Sequence, residues 1–220
     1  MPRGEFDRSA RRARTRAQLL ESAARVYTDK GVDGATLDDV ADQAGFTKGA
    51  VYDHFGSKDS LLFALLDEYL TAEIAEQLAL FEANRNVPGR PQIAADRWLE
   101  HVEADPAVLR LFVEAWARGQ RDEAVRERVL ATIEAMREMF RSIGRGRAEE
   151  LGEVRSEALL EGTADVMSAL GIGFALLKLT DPDRIPSRLL GAVYLILVGA
   201  LEGSPDARAL IEGAFEDHGS

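Results

Sequence analysis

Ala35-Thr36-Leu37-Asp38-Asp39-Val40-Ala41-Asp42-Gln43-Ala44-Gly45-Phe46-Thr47-Lys48-Gly49-Ala50-Val51-Tyr52-Asp53-His54-Phe55 reads as two short helices on either side of a glycine. Thr36 has the oxygen of a helix cap, and Asp39, three residues on, is placed to return a side-chain bond to it. Leu37, Val40 and Ala41 then share an inward face, and Gly45 ends the helix. Thr47 caps a second helix running to about Phe55, in which Val51 and Phe55, with Phe46 before them, have the spacing of a small core. A three-residue connection, Ala44-Gly45-Phe46, between two short helices is the pattern of a helix-turn-helix. That unit offers the first residues of its second helix to the major groove of DNA, here Thr47, Lys48 and Ala50. Gly49 has no side chain to obstruct close approach of backbone to DNA.

Working outward, Leu19, Leu20, Ala23, Ala24, Val26 and Tyr27 recur at helical spacing between Arg11 and Lys30, and Gly31 is the stop. Ser57 is expected to cap a longer helix reaching about Asn84. Pro88, Gly89 and Pro91 make the stretch from Asn84 to Pro91 a link between helices. Asp105-Pro106 and Ser204-Pro205 read as helix starts. Val125, Val129, Ile133, Met136 and Phe140 trace the stripe of a long helix, and Gly144 to Gly152 reads as a loop after it. No stretch reads as a strand, a repeat or a low-complexity tract, so the expected fold is all-α: a three-helix head on a larger helical body.

Charge is unevenly spread. Residues 1–60 hold ten basic and ten acidic side chains, whereas residues 61–220 hold 17 basic against 28 acidic, which is the whole net charge of −11. Six arginines fall within residues 1–16. A neutral head with a basic arm suits a protein that meets DNA at one end, since phosphate contact needs local positive charge. The acidic body favours a cationic or neutral ligand over an anionic one. With no cysteine, disulfides and thiolate metal sites are excluded, and the charged N-terminal stretch lacks the apolar core of an export signal, so a cytoplasmic location is expected.

The run from Ala35 to Leu62, with its Ala-Gly turn, Gly49-x-x-Tyr52, His54-Phe55 and Ser57-Lys58 in register, strongly resembles the tetracycline-repressor (TetR) family of bacterial regulators. The resemblance starts at about Arg14 and covers roughly the first third of the chain. It implies that Thr36, Tyr52 and Lys58 touch phosphates, and that Thr47, Lys48, Ala50 and His54 lie at or near the groove. Asp53 departs from the family pattern, which more often has an aromatic or a neutral or basic polar residue there. The resemblance also implies a homodimer on a near-palindromic double-stranded operator, an effector pocket in the body, and a four-helix dimer interface from the last long helix pair. The expected division is an arm over 1–13, a DNA-binding domain over 14–60 and a ligand-binding and dimerisation domain over 61–220.

Trp98, Phe112, Trp116, Met136 and Phe140, on helices of the central body, are the candidate ligand contacts. Ala169, Gly173, Gly191, Tyr194, Val198 and Gly199 are the candidate interface residues, on two apolar stretches, Val166 to Leu177 and Leu189 to Leu201. At 12 and 13 residues these stretches fall short of the roughly 20 needed to cross a bilayer, so no membrane partner is expected. No phosphate-binding loop, dinucleotide fingerprint, His-Glu-x-x-His pair or Gly-x-Ser-x-Gly elbow is present, so no enzyme and no cofactor are expected. His101, Glu103 and Asp105 have spacing that spreads them round a helix, and no metal is expected there. The reading is of a ligand-released DNA-binding repressor, with a helical carrier or enzyme using the body pocket as the runner-up.

Overall fold

A computed structural model describes residues 3–87, 89–186 and 188–216, with backbone alone at 3–7 and 215–216. Met1, Pro2, Pro88 and His218 lie outside the described residues. These residues form helices and no strand: α1 (Arg3–Gly34), α2 (Leu37–Ala44), α3 (Lys48–Phe55), α4 (Lys58–Ala83), α5 (Arg90–Ala104), α6 (Ala107–Gly119), α7 (Glu123–Leu151), α8 (Glu157–Thr180), α9 (Arg188–Gly203) and α10 (Pro205–Glu216). The all-α expectation holds. The chain divides into two compact units, residues 1–69 with 107–129, and 70–106 with 130–220, so that α4 and α7 contribute residues to both.

In the first unit, Leu19, Leu20, Ala23, Val26 and Tyr27 of α1 are buried as one stripe. The helix breaks at Gly31, whose φ of 71° and ψ of 165° are open to glycine and costly to other residues. Beyond the break, Val32 N–H donates to the Glu114 carboxylate of α6 at 2.9 Å. Arg118 of the same helix pairs with Asp59 at 2.6 Å. The unit that holds the head thus runs on past residue 60 and takes in 107–129, a segment that sequence spacing assigns to the body. The helix of α1 also begins at Arg3, ahead of the expected Arg11, because the arginines and alanines before the buried stripe are good helix formers.

In the second unit, Ala95 and Leu99 of α5, Met167 of α8, and Leu190 and Tyr194 of α9 form the core. The helices α5 and α9 lie against one another because Gly191 has only hydrogen where a Cβ would sit 2.9 Å from the Gln92 carbonyl oxygen. The Tyr194 hydroxyl donates to the Met167 carbonyl at 2.6 Å, and its ring meets Phe140 edge-on. Its burial pushes the phenol well above its ordinary range.

Two expectations are corrected. Gly144 to Gly152 is not a loop: α7 runs through to Leu151, and only Gly152 takes a left-handed conformation, with φ 65°. Gly144 serves packing instead of turning, since a Cβ there would lie 2.9 Å from Leu160 Cδ2, and Arg141–Glu138 and Arg147–Glu150 pairs at i, i+3 support the helix around it. The helix α8 is also longer than its apolar stretch. At 24 residues it is long and apolar enough, by length and composition alone, to cross a membrane. It nevertheless buries Leu159, Leu160, Ala164, Met167 and Ala175 within the unit, packing with α9 and α10, as a core helix does.

Two outcomes follow from this packing and capping. Gly191→Ala forces a methyl into the Gln92 backbone and should lower stability by about 1–3 kcal/mol in a thermal melt. Gly213→Ala, where nothing lies within 4 Å, should be neutral or slightly stabilising. At the head, hydrogen bonds from Lys30 and from the Thr36 hydroxyl and N–H hold the Asp39 carboxyl down at about 2, below its ordinary 3.8. A depressed carboxylate contributes stability above about pH 4 and loses it as pH falls toward 2. Asp39→Asn should therefore flatten that segment of the acid-unfolding curve followed by circular dichroism.

Candidate nucleic-acid interface

The position of α3 is set by its two ends. Thr36 and Asp39 form the reciprocal cap of α2, with Thr36 N–H donating to Asp39 Oδ2 at 2.9 Å and Asp39 N–H to Thr36 Oγ1 at 3.1 Å. Gly45 closes the helix at φ 70°, and the Phe46 N–H returns to the Ala41 carbonyl at 3.0 Å. Thr47 then caps α3, its hydroxyl accepting from Ala50 N–H at 3.3 Å. Val51 and Phe55 turn inward and are buried, and Phe46 is half-buried. What remains outside is Thr47, Lys48, Gly49, Tyr52 and Asp53, with Ala50 and His54 half-buried beside them. Tyr52 is 53% exposed, an aromatic side chain that the small core does not use.

The structure gives several of these residues additional partners. The Thr36 hydroxyl donates to Asp39 Oδ2 at 2.8 Å, so its proton is committed to the cap. Lys48 is held in an ion pair by Asp38, whose hydrogen bond raises the lysine pKa, and reaching a base edge means leaving that partner. Lys58 Nζ donates to the carbonyls of Asp33 and Ala35, both at 3.3 Å, and so fastens the α1–α2 connection. His54 is shifted below its ordinary pKa by partial burial and by Arg12 and Arg16, against the pull of Asp53, which favours the neutral ring at pH 7. The basic stretch expected to be an arm is therefore, over its described residues, helix, and two of its arginines act electrostatically on the end of α3. Arg16 also lies over the Phe55 ring at 5.7 Å and pairs with Glu68 at 3.1 Å. Except for the Thr36–Asp39 cap, sequence spacing could not show these pairings, because they join residues of different elements.

In the second unit a cavity of about 480 Å³ lies among residues of α4, α5, α7, α8, α9 and their connections. Of the five candidate ligand contacts, Phe140 lines it. Trp98 packs on the core cluster beside Gly171 instead, Met136 is half-buried on α7, and Phe112 and Trp116 belong to α6 in the other unit. The lining that sequence reading missed is Phe81, Arg90, Arg147, Arg155, Met167 and Glu202 among others. For the helical residues the only signal was spacing on separate helices, which does not show which faces converge, and Arg155, on the α7–α8 connection, had none.

The candidate interface residues also divide. Gly191 and Tyr194 are buried within the chain, Val198 packs on the core and lines the cavity, and Gly199 is exposed at the cavity. Ala169 is exposed and Gly173 half-buried on α8. Around them lie exposed apolar side chains: Val166 and Leu177 of α8, and Leu189 and Ile196 of α9, the last 72% exposed.

Among the described residues, His101 groups with Glu73 and Glu76 of α4, at 3.2 and 3.7 Å, and Glu103 pairs with Lys178. Gln77 and Arg97 hold the other oxygens of the two carboxylates, and hydrogen bonding and ion pairing account for the group.

Comparison with known proteins places this geometry. The family described as bacterial regulatory proteins, tetR family, matches residues 19–65, and the C-terminal family of BetI-type transcriptional repressors matches residues 90–199. The HTH-type transcriptional regulator TtgR of Pseudomonas putida is 51% identical over 53 residues, 24% of this chain and 25% of TtgR. The HTH-type transcriptional repressor AcnR of Corynebacterium diphtheriae is 30% identical over 125 residues, 52% of this chain and 63% of AcnR. The chain thus matches from a quarter to just under two thirds of these relatives' lengths. In fold, it matches SmeT of Stenotrophomonas maltophilia, in a complex with triclosan, with a TM-score of 0.67 at 21% identity, over 85% of this chain and 90% of SmeT. The chain belongs to the TetR family of bacterial regulatory proteins.

Proposed function

We propose that this protein is a cytoplasmic, homodimeric, sequence-specific DNA-binding repressor, released from a near-palindromic operator by a small molecule in the cavity of the second unit. The observation that carries the reading is the N-terminal face of α3, capped by Thr47, with Lys48, Gly49 and Tyr52 exposed and with no place in the small core. Helix N-termini carry free N–H groups that suit phosphate oxygens, and the first side chains of such a helix suit base edges. Repression follows AcnR and SmeT, both named as repressors, and an effector follows the triclosan complex of SmeT.

One recognition helix reads few base pairs, so selectivity in a genome calls for duplication by symmetry. The exposed apolar side chains of α8 and α9 supply the surface for a second copy. Two heads so joined are expected to meet successive major grooves about 34–36 Å apart. An effector that binds one conformation of the dimer more tightly then shifts the population away from the DNA-competent state.

The experiment is a titration of labelled genomic fragments with excess nonspecific DNA, in which one fragment should be selected at moderate salt. Failure to select any would favour the carrier or enzyme reading. On the selected operator, Lys48→Ala should alter the ranking of operator variants. Lys58→Ala should weaken all sequences alike, make the log-log salt slope about 0.9 shallower, and cost about 1 kcal/mol in a thermal melt through its two lost carbonyl contacts. Identical behaviour of the two variants would remove the division between reading and positioning. Ile196→Arg should bury an unpaired charge at the proposed interface, so sedimentation should show monomer and operator binding should be lost together.

A further inference from the structure

The cavity of the second unit has an apolar wall that includes Phe81, Phe140, Ile143, Met167 and Val198. Its charged lining is Arg85, Arg90, Arg147 and Arg155 against Glu202. Glu150 serves three of these arginines: it meets Arg90 through two bonds at 3.0 and 2.7 Å, Arg147 at 3.1 Å and Arg85 at 3.4 Å. Glu202 takes two bonds from Arg147 at 2.6 and 3.1 Å. Hydrogen bonds from Arg90 to Glu150, and from Arg147 to Glu202, hold both carboxyls below their ordinary range, so both count as full negative charges.

Arg155 is the least served. Its side chain is 11% exposed, and its nearest carboxylate is Glu153, at 3.5 Å, whose other oxygen is taken by Arg208 at 3.1 Å. The Arg155 Nε–H is buried and has no acceptor. The pairs form two groups: Arg85, Arg90 and Arg147 balance Glu82, Glu150 and Glu202, whereas Arg155 and Arg208 share the single carboxylate of Glu153. A buried donor without an acceptor and a partly buried excess of one positive charge each cost free energy. A cationic ligand adds to the excess, and a neutral apolar ligand leaves both in place. An anion on the Arg155 guanidinium offsets the excess charge.

We infer that this cavity takes a monoanionic amphipath, an apolar chain or ring bearing a single carboxylate-like head, with the head on Arg155 and the body along the Phe140 and Met167 wall. The inference rests on the cavity being the effector site. It reverses the expectation from the acidic body, since the charge that decides a ligand is that of the lining and not that of the whole surface. A planar guanidinium also suits a carboxylate through paired N–H donors, which a lysine does not offer.

The test uses three probes of equal chain length, decanoate, decan-1-ol and decylammonium, titrated calorimetrically into the full-length protein below their micellar concentrations. Decanoate is expected to bind roughly tenfold or more tightly than decanol, the range of one charge-assisted hydrogen bond, and decylammonium to bind weakest. Arg155→Gln should abolish the advantage of decanoate and leave decanol unchanged, while Arg155→Lys should restore part of it. A melting curve matching the parent establishes that these variants fold, and the ranking in the parent protein does not depend on them. Decanol or decylammonium equalling decanoate, no binding of any probe, or an undiminished decanoate advantage in Arg155→Gln would each overturn the inference. Operator selection measured on the same preparation separates the two proposals. Selection without the charge preference sinks this inference alone, and the charge preference without selection sinks the DNA-binding reading alone.

Discussion

The left-handed backbone of Gly45 is the constraint on which the head depends. It ends α2 within one residue, lets the Phe46 N–H return to the Ala41 carbonyl, and so turns the chain before Thr47 caps the next helix. A side chain at φ 70° would strain this corner. With the corner fixed, Val51 and Phe55 must face the small core, and Lys48, Gly49 and Tyr52 must face away from it. The docking face is what remains of an eight-residue helix after its packing is satisfied.

A second layer of control is electrostatic. The head carries balanced charge, yet its charges are distributed in pairs that fasten rather than attract: Lys30 with Asp39, Lys48 with Asp38, Arg118 with Asp59. Exposed pairs of this kind contribute little to stability. Their effect is to set which cations are already engaged when DNA arrives, so each contact to phosphate or base exchanges one partner for another. The body follows the same logic at lower exposure, where Glu150 and Glu202 order three arginines around a cavity.

The glycines show how one residue type meets different demands. Gly31, Gly45 and Gly152 supply positive φ where helices stop or break. Gly144 and Gly191 sit inside helices, where the usual expectation is a loop or a weakened turn, and there they admit a neighbouring helix. A breaker and a close-packing site look alike in one dimension, which is why α7 was legible up to Gly144 and not beyond it.

The sequence by itself determined whatever depends on neighbours within about four residues. The caps at Thr36 and Thr47, the turn at Gly45, the buried stripes of α1 and α2 and the outward position of Lys48 all rest on local hydrogen bonds and helical period. Tertiary structure alone decided the rest. That Lys58 fastens Asp33 and Ala35, that α6 joins the unit holding the head, and that Phe140 but not Trp98 reaches the cavity depend on which helix faces meet. Periodicity marks a face as apolar without naming its partner, because hydrophobic burial has no direction of its own. For the same reason a net charge of −11 could not foretell a cavity lined by four arginines, since convergence in space and not position in the chain sets the local field.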